Sequence, residues 1–296
     1  MPPLFLFLLT MIPGTVLLGF YDVWTKKLLR KGIGEQMLLG TGFCGAGALF
    51  LVALVFVGVP PIASSFWWTL AGTGILNIVG QFAWYRAFSL GDVSLIAPLR
   101  VLTPIAIIFT GSLFLNEAPS ERGLIGIALT VMGLFLLLGA QGGAFVTSVK
   151  DSIKSSGFLW GLFAVLAFSF SFPLDKKAIL ASSTLFFSAL LYLCIGAGSI
   201  LISWFSNRRA SAESIREIWQ NRSAALLWIL FLTAGGFLVN HALNFTLAVY
   251  AASVKRLQAL WSIILSGAFL KEGHIPRKVF ATLVMLAGIV VTVVFG

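Results

Sequence analysis

The sequence predicts an all-α membrane protein: ten transmembrane helices, arranged as two inverted five-helix repeats. Three observations predict it. The composition is too apolar for water, apolar runs of bilayer length recur along the chain, and particular residues recur between its two halves.

The 296 residues are 59% hydrophobic and 10% charged, with a mean hydropathy of +1.01. A soluble domain carries roughly 45–50% apolar and about 25% charged residues. A chain this apolar could not cover its own surface in water. The net charge is +10, but the bases cluster at the ends of apolar runs, as in membrane proteins. A lipid bilayer is therefore the expected partner, and nucleic acid is not. Cys44 and Cys194 both sit inside apolar runs. They read as small packing residues, with no disulfide framework and no metal-ligand spacing.

A bilayer-spanning helix needs about 20 mostly apolar residues. The first expected span, Pro3 to Trp24, has no basic leader and reads as a retained helix rather than a removed signal peptide. The second runs Glu35 to Val59, the third Phe66 to Leu90, the fourth Val93 to Leu115 and the fifth Gly123 to Gln141. The sixth runs Gly157 to Leu174, the seventh Ser182 to Phe205, the eighth Ala224 to Thr246, the ninth Ala251 to Leu270 and the tenth Lys278 to Phe295. The runs are continuously apolar and too long for barrel strands, which alternate over about ten residues. Helices also satisfy their own backbone groups in lipid. The link Gly91-Asp92 is too short for anything but antiparallel neighbours, and the long polar loops are Gly142–Ser156 and Ser206–Ser223. The domains follow: residues 1–141, a linker over 142–156, and residues 157–296.

The halves share particular residues. Phe114-Leu115-Asn116-Glu117 matches Phe269-Leu270-Lys271-Glu272 at an offset of 155, which also aligns Arg86 with His241, Arg100 with Lys255 and Gly133 with Gly288. Near the start of each half the offset is 150, aligning Lys26-Lys27 with Lys176-Lys177 and Cys44 with Cys194. With five helices per half, the second copy must enter the membrane from the opposite side. Such inverted repeats enclose a central site and support alternating access.

With these features the sequence resembles the EamA-type members of the drug/metabolite transporter superfamily. The resemblance rests on the two five-helix halves, the FLxE endings, the run Ala97-Pro98-Leu99-Arg100…Pro104, and Ser253-Val254-Lys255-Arg256-Leu257 leading to Ser262…Gly267. It implies a ten-helix carrier of amino acids, sugars, nucleotide derivatives or drugs. Lys255-Arg256 also resembles the basic pair on the ninth helix of plastid sugar-phosphate translocators, where the pair binds phosphate. That likeness implies anion contact for these two residues.

Ionisable groups at the bilayer centre cost about 2.5–3.5 kcal/mol on insertion scales, so they tend to face a wet cavity or a partner. Arg86, Arg100, Lys255 and Arg256 fall inside expected spans, with His241 a further base. Snorkelling to the interface is the competing explanation for each long side chain. Lys255, Gln258, Ser262 and Ser266 share one helical face, opposite Leu257, Leu260 and Ile264. Asn77, Gln81 and Trp84 or Tyr85 form a second stripe, and Asn240, His241 and Asn244 a third. These amides serve either as cavity lining or as glue between helices. Trp84 and Trp261 are placed to pack an apolar part of a solute. Trp67, Trp68, Trp160, Trp204, Trp219 and Trp228 read as interfacial belts, and the abundant glycines as helix-packing positions.

The carboxylates Asp22, Asp92, Asp175, Glu117 and Glu272 all read as lying at or near helix ends, Asp22 within reach of Lys26. Ion coupling is therefore not expected to rest on a central carboxylate. Thirteen Lys and Arg fall in odd-numbered loops and three in even ones. The positive-inside rule then puts both termini outside a cell membrane, whereas the family resemblance implies both termini inside. No HExxH or GxSxG motif and no paired intramembrane carboxylates occur, and the histidines are His241 and His274. The expected function is a cofactor-free and metal-free alternating-access transporter of a small anionic or zwitterionic metabolite, as a monomer or homodimer. Its contacts would come from Arg100, Lys255, Arg256, Arg86, His241, Asn244, Gln258, Trp84 and Trp261. The alternative is a membrane scaffold or membrane enzyme.

Overall fold

The computed structural model describes residues 3–91, 96–116, 120–139 and 155–270, with positions 280–281, 283–284, 287–288 and 290–291. Asp92, Glu117, Lys271, Glu272, His274, Arg277, Lys278, nearly all of the linker and much of the tenth expected span lie outside the described residues, as do the side chains of Ala97, Pro98 and Pro104.

Among the described residues the protein is all-helical. The helices are α1 (Pro3–Leu29), α2 (Glu35–Val57), α3 (Ser65–Leu90), α4 (Thr103–Leu115), α5 (Glu121–Gly139), α6 (Ser156–Leu180), α7 (Thr184–Ser206), α8 (Arg208–Gln220), α9 (Arg222–Ala242), α10 (Ala248–Lys255) and α11 (Leu257–Leu270), with a 3₁₀ segment at Ala97–Leu102. Five of them, α1, α2, α6, α7 and α9, are long and apolar enough to cross a membrane. Their outward faces are apolar: Val55, Phe56, Trp68 and Phe109 are each more than 70% exposed. Hydrocarbon satisfies such a surface and water does not. This is an integral membrane protein.

Local chemistry fixes the ends. Ser155, Ser183 and Asn207 cap α6, α7 and α8 by accepting from Phe158 N (3.3 Å), Phe186 N (3.2 Å) and Ala210 N (3.1 Å), each satisfying an otherwise orphaned amide. Asn116 adopts the left-handed conformation (φ 53°) that closes α4, its N–H reaching Gly111 O and Ser112 O.

Three expectations are corrected. The Ser206–Ser223 stretch is not a loop. Asn207 starts α8, whose Ser211 and Ser214 are buried while Ile215 and Trp219 are exposed. The expected ninth span is not one helix but α10 and α11, broken at Arg256, and the 3₁₀ segment likewise interrupts the fourth. Charged residues did not end the first and sixth spans. The apolar runs stop at Trp24 and Leu174, yet the helices continue to Leu29 and Leu180.

Packing pairs helices from the two halves: α3 on α6, α1 on α9, α2 on α7, α1 on α11 and α4 on α6. The α2–α7 seam is close because glycines stand where the helices meet. A Cβ on Gly196 would come 2.6 Å from Cys44 Sγ and 2.9 Å from Gly40 O. Cys44 packs there as expected, whereas Cys194 is exposed. Trp228 is also corrected: it is 1% exposed and belongs to the core, not to an interfacial belt.

Candidate functional site

Between the halves lies a cavity of about 100 Å³. Its walls come from α1 (Leu18, Tyr21), α3 (Asn77, Gln81), α6 (Ser171, Phe172, Asp175), α7 (Leu191, Tyr192) and α9 (Leu232, Asn240). The interrupted segments supply the cations, Arg100 from the 3₁₀ segment, Lys255 from the end of α10 and Arg256 at the break, and α11 adds the neutral amide of Gln258. Irregular backbone at membrane depth is tolerated where it is covered by protein or lines a cavity.

Each cation has a different surrounding. Arg100 is held on both sides: Nη1 donates to Asp22 Oδ2 at 2.5 Å, and the guanidinium lies 4.0 Å from the centre of the Trp84 ring. The same carboxylate oxygen accepts from Gln258 Nε2 (2.9 Å) and Ser262 Oγ (2.7 Å). Arg256 donates through Nε to Ala252 O at 2.9 Å. Lys255 Nζ stands 5.0 Å from the centre of the Phe172 ring. Among the described residues, neither Lys255 nor Arg256 has a carboxylate within ion-pair distance.

The second buried carboxylate among the described residues, Asp175, lies on α6, three residues after Phe172. Its Oδ1 accepts from Thr73 Oγ1, and Asn77 Nδ2 lies 3.4 Å away. Asn77 Nδ2 also reaches Ser171 Oγ at 2.9 Å. Asp175 and Lys255 lie within each other's electrostatic field. The reading that no carboxylate sits at depth is thus corrected. Asp22 is 0% and Asp175 9% exposed, because α1 and α6 each run at least one turn beyond them. Asp22 pairs with Arg100 rather than Lys26. Lys26 instead donates to Phe88 O (2.6 Å) and Gly91 O (2.8 Å) at the end of α3.

On one side of the cavity the structure is filled by rings. Tyr21 stacks on Trp228 at 5.5 Å and bonds the Tyr85 hydroxyl, while Trp228 Nε1 donates to Thr25 Oγ1 at 2.8 Å.

Of the residues singled out in the sequence, Arg100, Lys255, Arg256 and Gln258 come together on the cavity wall, with Trp84 behind Arg100. The other four lie apart from it. Arg86 is 44% exposed and pairs with Glu35 at 3.0 Å, joining the end of α3 to the start of α2. His241 stacks on Phe237 at 5.8 Å and meets Thr184 Oγ1 at 3.5 Å, and Asn244 donates to the same oxygen at 2.9 Å. Trp261 packs against Gly19. Sequence reasoning missed Asp22, Asp175, Tyr21 and Tyr192. For Asp175 a signal existed, since Ser171 and Asp175 are one turn apart on the face that Thr73 and Asn77 meet.

Residues 5–139 and 155–294 match the EamA-like transporter family. A curated relative from Sinorhizobium sp., described as "Uncharacterized transporter in cobO 3'region", is 34% identical over 71 residues, 24% of this chain and 50% of that protein. The chain thus spans about half the length of the relative it matches. A solved structure described only as "Crystal structure of protein" superposes with a TM-score of 0.67 at 15% identity, covering 95% of this chain and 99% of the other. That likeness speaks for the fold alone. The family match covers nearly the whole chain, and the cavity is enclosed by helices from both matched segments: the protein belongs to the EamA-like transporter family.

Proposed function

We propose that this protein is an alternating-access carrier, not an enzyme, of a small organic solute that is anionic or zwitterionic. The observation that carries this reading is the pair Lys255 and Arg256, which reach the cavity with no carboxylate in ion-pair distance among the described residues. Buried charges are costly unless paired, and a solute carboxylate or phosphate would pair them. Arg100, already neutralised by Asp22, shapes that wall and adds hydrogen-bond donors. Tyr192, Asn240 and Gln258 offer polar contacts, and Leu191 and Leu232 apolar ones.

The carrier consists of ten transmembrane helices in two oppositely inserted five-helix units. Matched contacts support this. Lys26 donates to Gly91 O and Lys176 to Thr246 O, the partners standing 150 and 155 residues apart. Trp228 with Thr25 and Thr73 with Asp175 repeat at the same offsets. So do Arg100 against Asp22 and Lys255 against Phe172. In the alternating cycle the Tyr21–Tyr85–Trp228 cluster closes one side, and the corresponding Ser171, Asn240 and Thr73 leave the other side polar. The geometry serves export, import or exchange equally. The termini lie outside the cell membrane, which an impermeant label on a cysteine at the C-terminus tests.

The function is tested by a thermal-shift screen of the purified protein against a metabolite library, followed by proteoliposome uptake of the stabilising solute. Lys255→Ala should abolish both signals while leaving ligand-free melting in place. Transport retained by that variant would remove Lys255 from the site.

A further inference from the structure

We propose that Asp175 sets the charge of the transported solute: it holds the cavity's uncompensated charge at +1, so that monoanions are accepted and dianions rejected. This rests on the anion-carrier reading above and narrows it to a substrate class.

The argument is a count of charges around one space. Among the described residues, five charged side chains face the cavity or bond a group that does: Asp22, Arg100, Asp175, Lys255 and Arg256. Asp22 and Arg100 cancel as an ion pair. Lys255 and Arg256 then contribute +2 and Asp175 contributes −1. The neighbouring Lys176 turns away to Thr246 O, and His241 lies outside the cavity walls. A ligand of charge −1 brings the space to neutrality. A ligand of charge −2 leaves one negative charge in a medium that solvates it poorly.

Asp175 is held where it can do this without closing the site. Thr73 and Asn77 fix its Oδ1 against α3. The carboxylate is therefore tied to α3 and makes no ion pair with Lys255. It lowers the field at the cavity centre while leaving the Lys255 ammonium open to a ligand. A carboxylate present only to neutralise Lys255 would be expected in direct contact with it, as Asp22 is with Arg100.

The experiment uses the full chain in detergent micelles and matched probes. Monocarboxylates are compared with dicarboxylates of the same carbon skeleton, and dimethyl with monomethyl phosphate at about pH 8, above the second phosphate pKa. Binding is read by thermal shift and titration. Wild type is expected to bind the monoanions and to discriminate against the dianions by at least about tenfold, a difference of about 1.4 kcal/mol. Asp175→Asn, which keeps the shape of the side chain, should remove or invert that preference. Asp175→Glu, which keeps the negative charge but changes the side chain's length, should keep the preference for monoanions. A merely structural role would be disturbed in both variants and would not follow the charge. Equal binding of both charge classes by wild type, or no change in preference in Asp175→Asn, overturns this inference and leaves the anion carrier standing. If no anion of either charge stabilises wild type, the anion-carrier reading falls and takes this one with it.

Discussion

Arg100 lies 2.5 Å from the carboxylate of Asp22, whereas Lys255, its counterpart 155 residues later, stands over the ring of Phe172. One half of the protein thus neutralises its cation internally and the other leaves it to the cavity. The difference predicts opposite responses to mutation on the two sides.

Asp22→Ala should be strongly destabilising. It leaves Arg100 buried and unpaired and removes the acceptor of Gln258 and Ser262. Losing one partner of a buried pair costs roughly 3–5 kcal/mol. Thermal unfolding in detergent measures it. The double variant Asp22→Leu/Arg100→Leu should recover part of the loss, because no charge is then stranded.

Trp228→Ala should open the ring-filled side of the cavity. The indole fills the space beside Tyr21 and Tyr85 and bonds Thr25. In a background lacking Cys44 and Cys194, a cysteine introduced by Thr25→Cys should react faster with an impermeant maleimide once Trp228 is removed. Unchanged labelling would mean that these rings do not bar that path.

Gly196→Ala should lower stability by about 1–3 kcal/mol, the usual cost of forcing atoms into a filled seam. Its Cβ would fall 2.6 Å from Cys44 Sγ. Gly74→Ala is the control. A Cβ there meets nothing within 4 Å, so better helix propensity should leave it neutral or more stable by up to about 1 kcal/mol. The melting temperature should fall for Gly196→Ala and stay level or rise for Gly74→Ala.

Arg86→Ala should cost no more than about 1 kcal/mol, as for other half-exposed ion pairs. The affinity for the solute found by the screen should not change, since the side chain ends on Glu35 outside the cavity. A weakened affinity would show that α3 transmits the loss to Asn77 and Gln81.

The cavity bases were legible because an arginine or lysine within an apolar run is rare and needs a reason. The break at Arg256 was not, since Ala251 to Leu270 reads as one uninterrupted helix, and only the turn bonds Arg256 N to Ser253 O and Ala259 N to Arg256 O reveal it. Asp22 and Asp175 were hidden by the charges beside them. A cluster such as Asp175-Lys176-Lys177 looks like the end of a span, although α6 continues to Leu180. His241 and Asn244 have the polarity expected of a cavity, but their partner Thr184 is about 60 residues away and nothing local points to it. The polar stretch after Ser206 carried a usable cue, the capping residue Asn207, and yet polarity alone made it look like a loop.

The seam between α2 and α7 places backbone against backbone, with Gly40, Cys44 and Gly196 already in contact. Such a junction has no slack to compress. In the proposed alternating-access cycle, rocking of the flanking bundles about it would behave like a lever on a fixed fulcrum, with the stroke set by the helices farthest from that line.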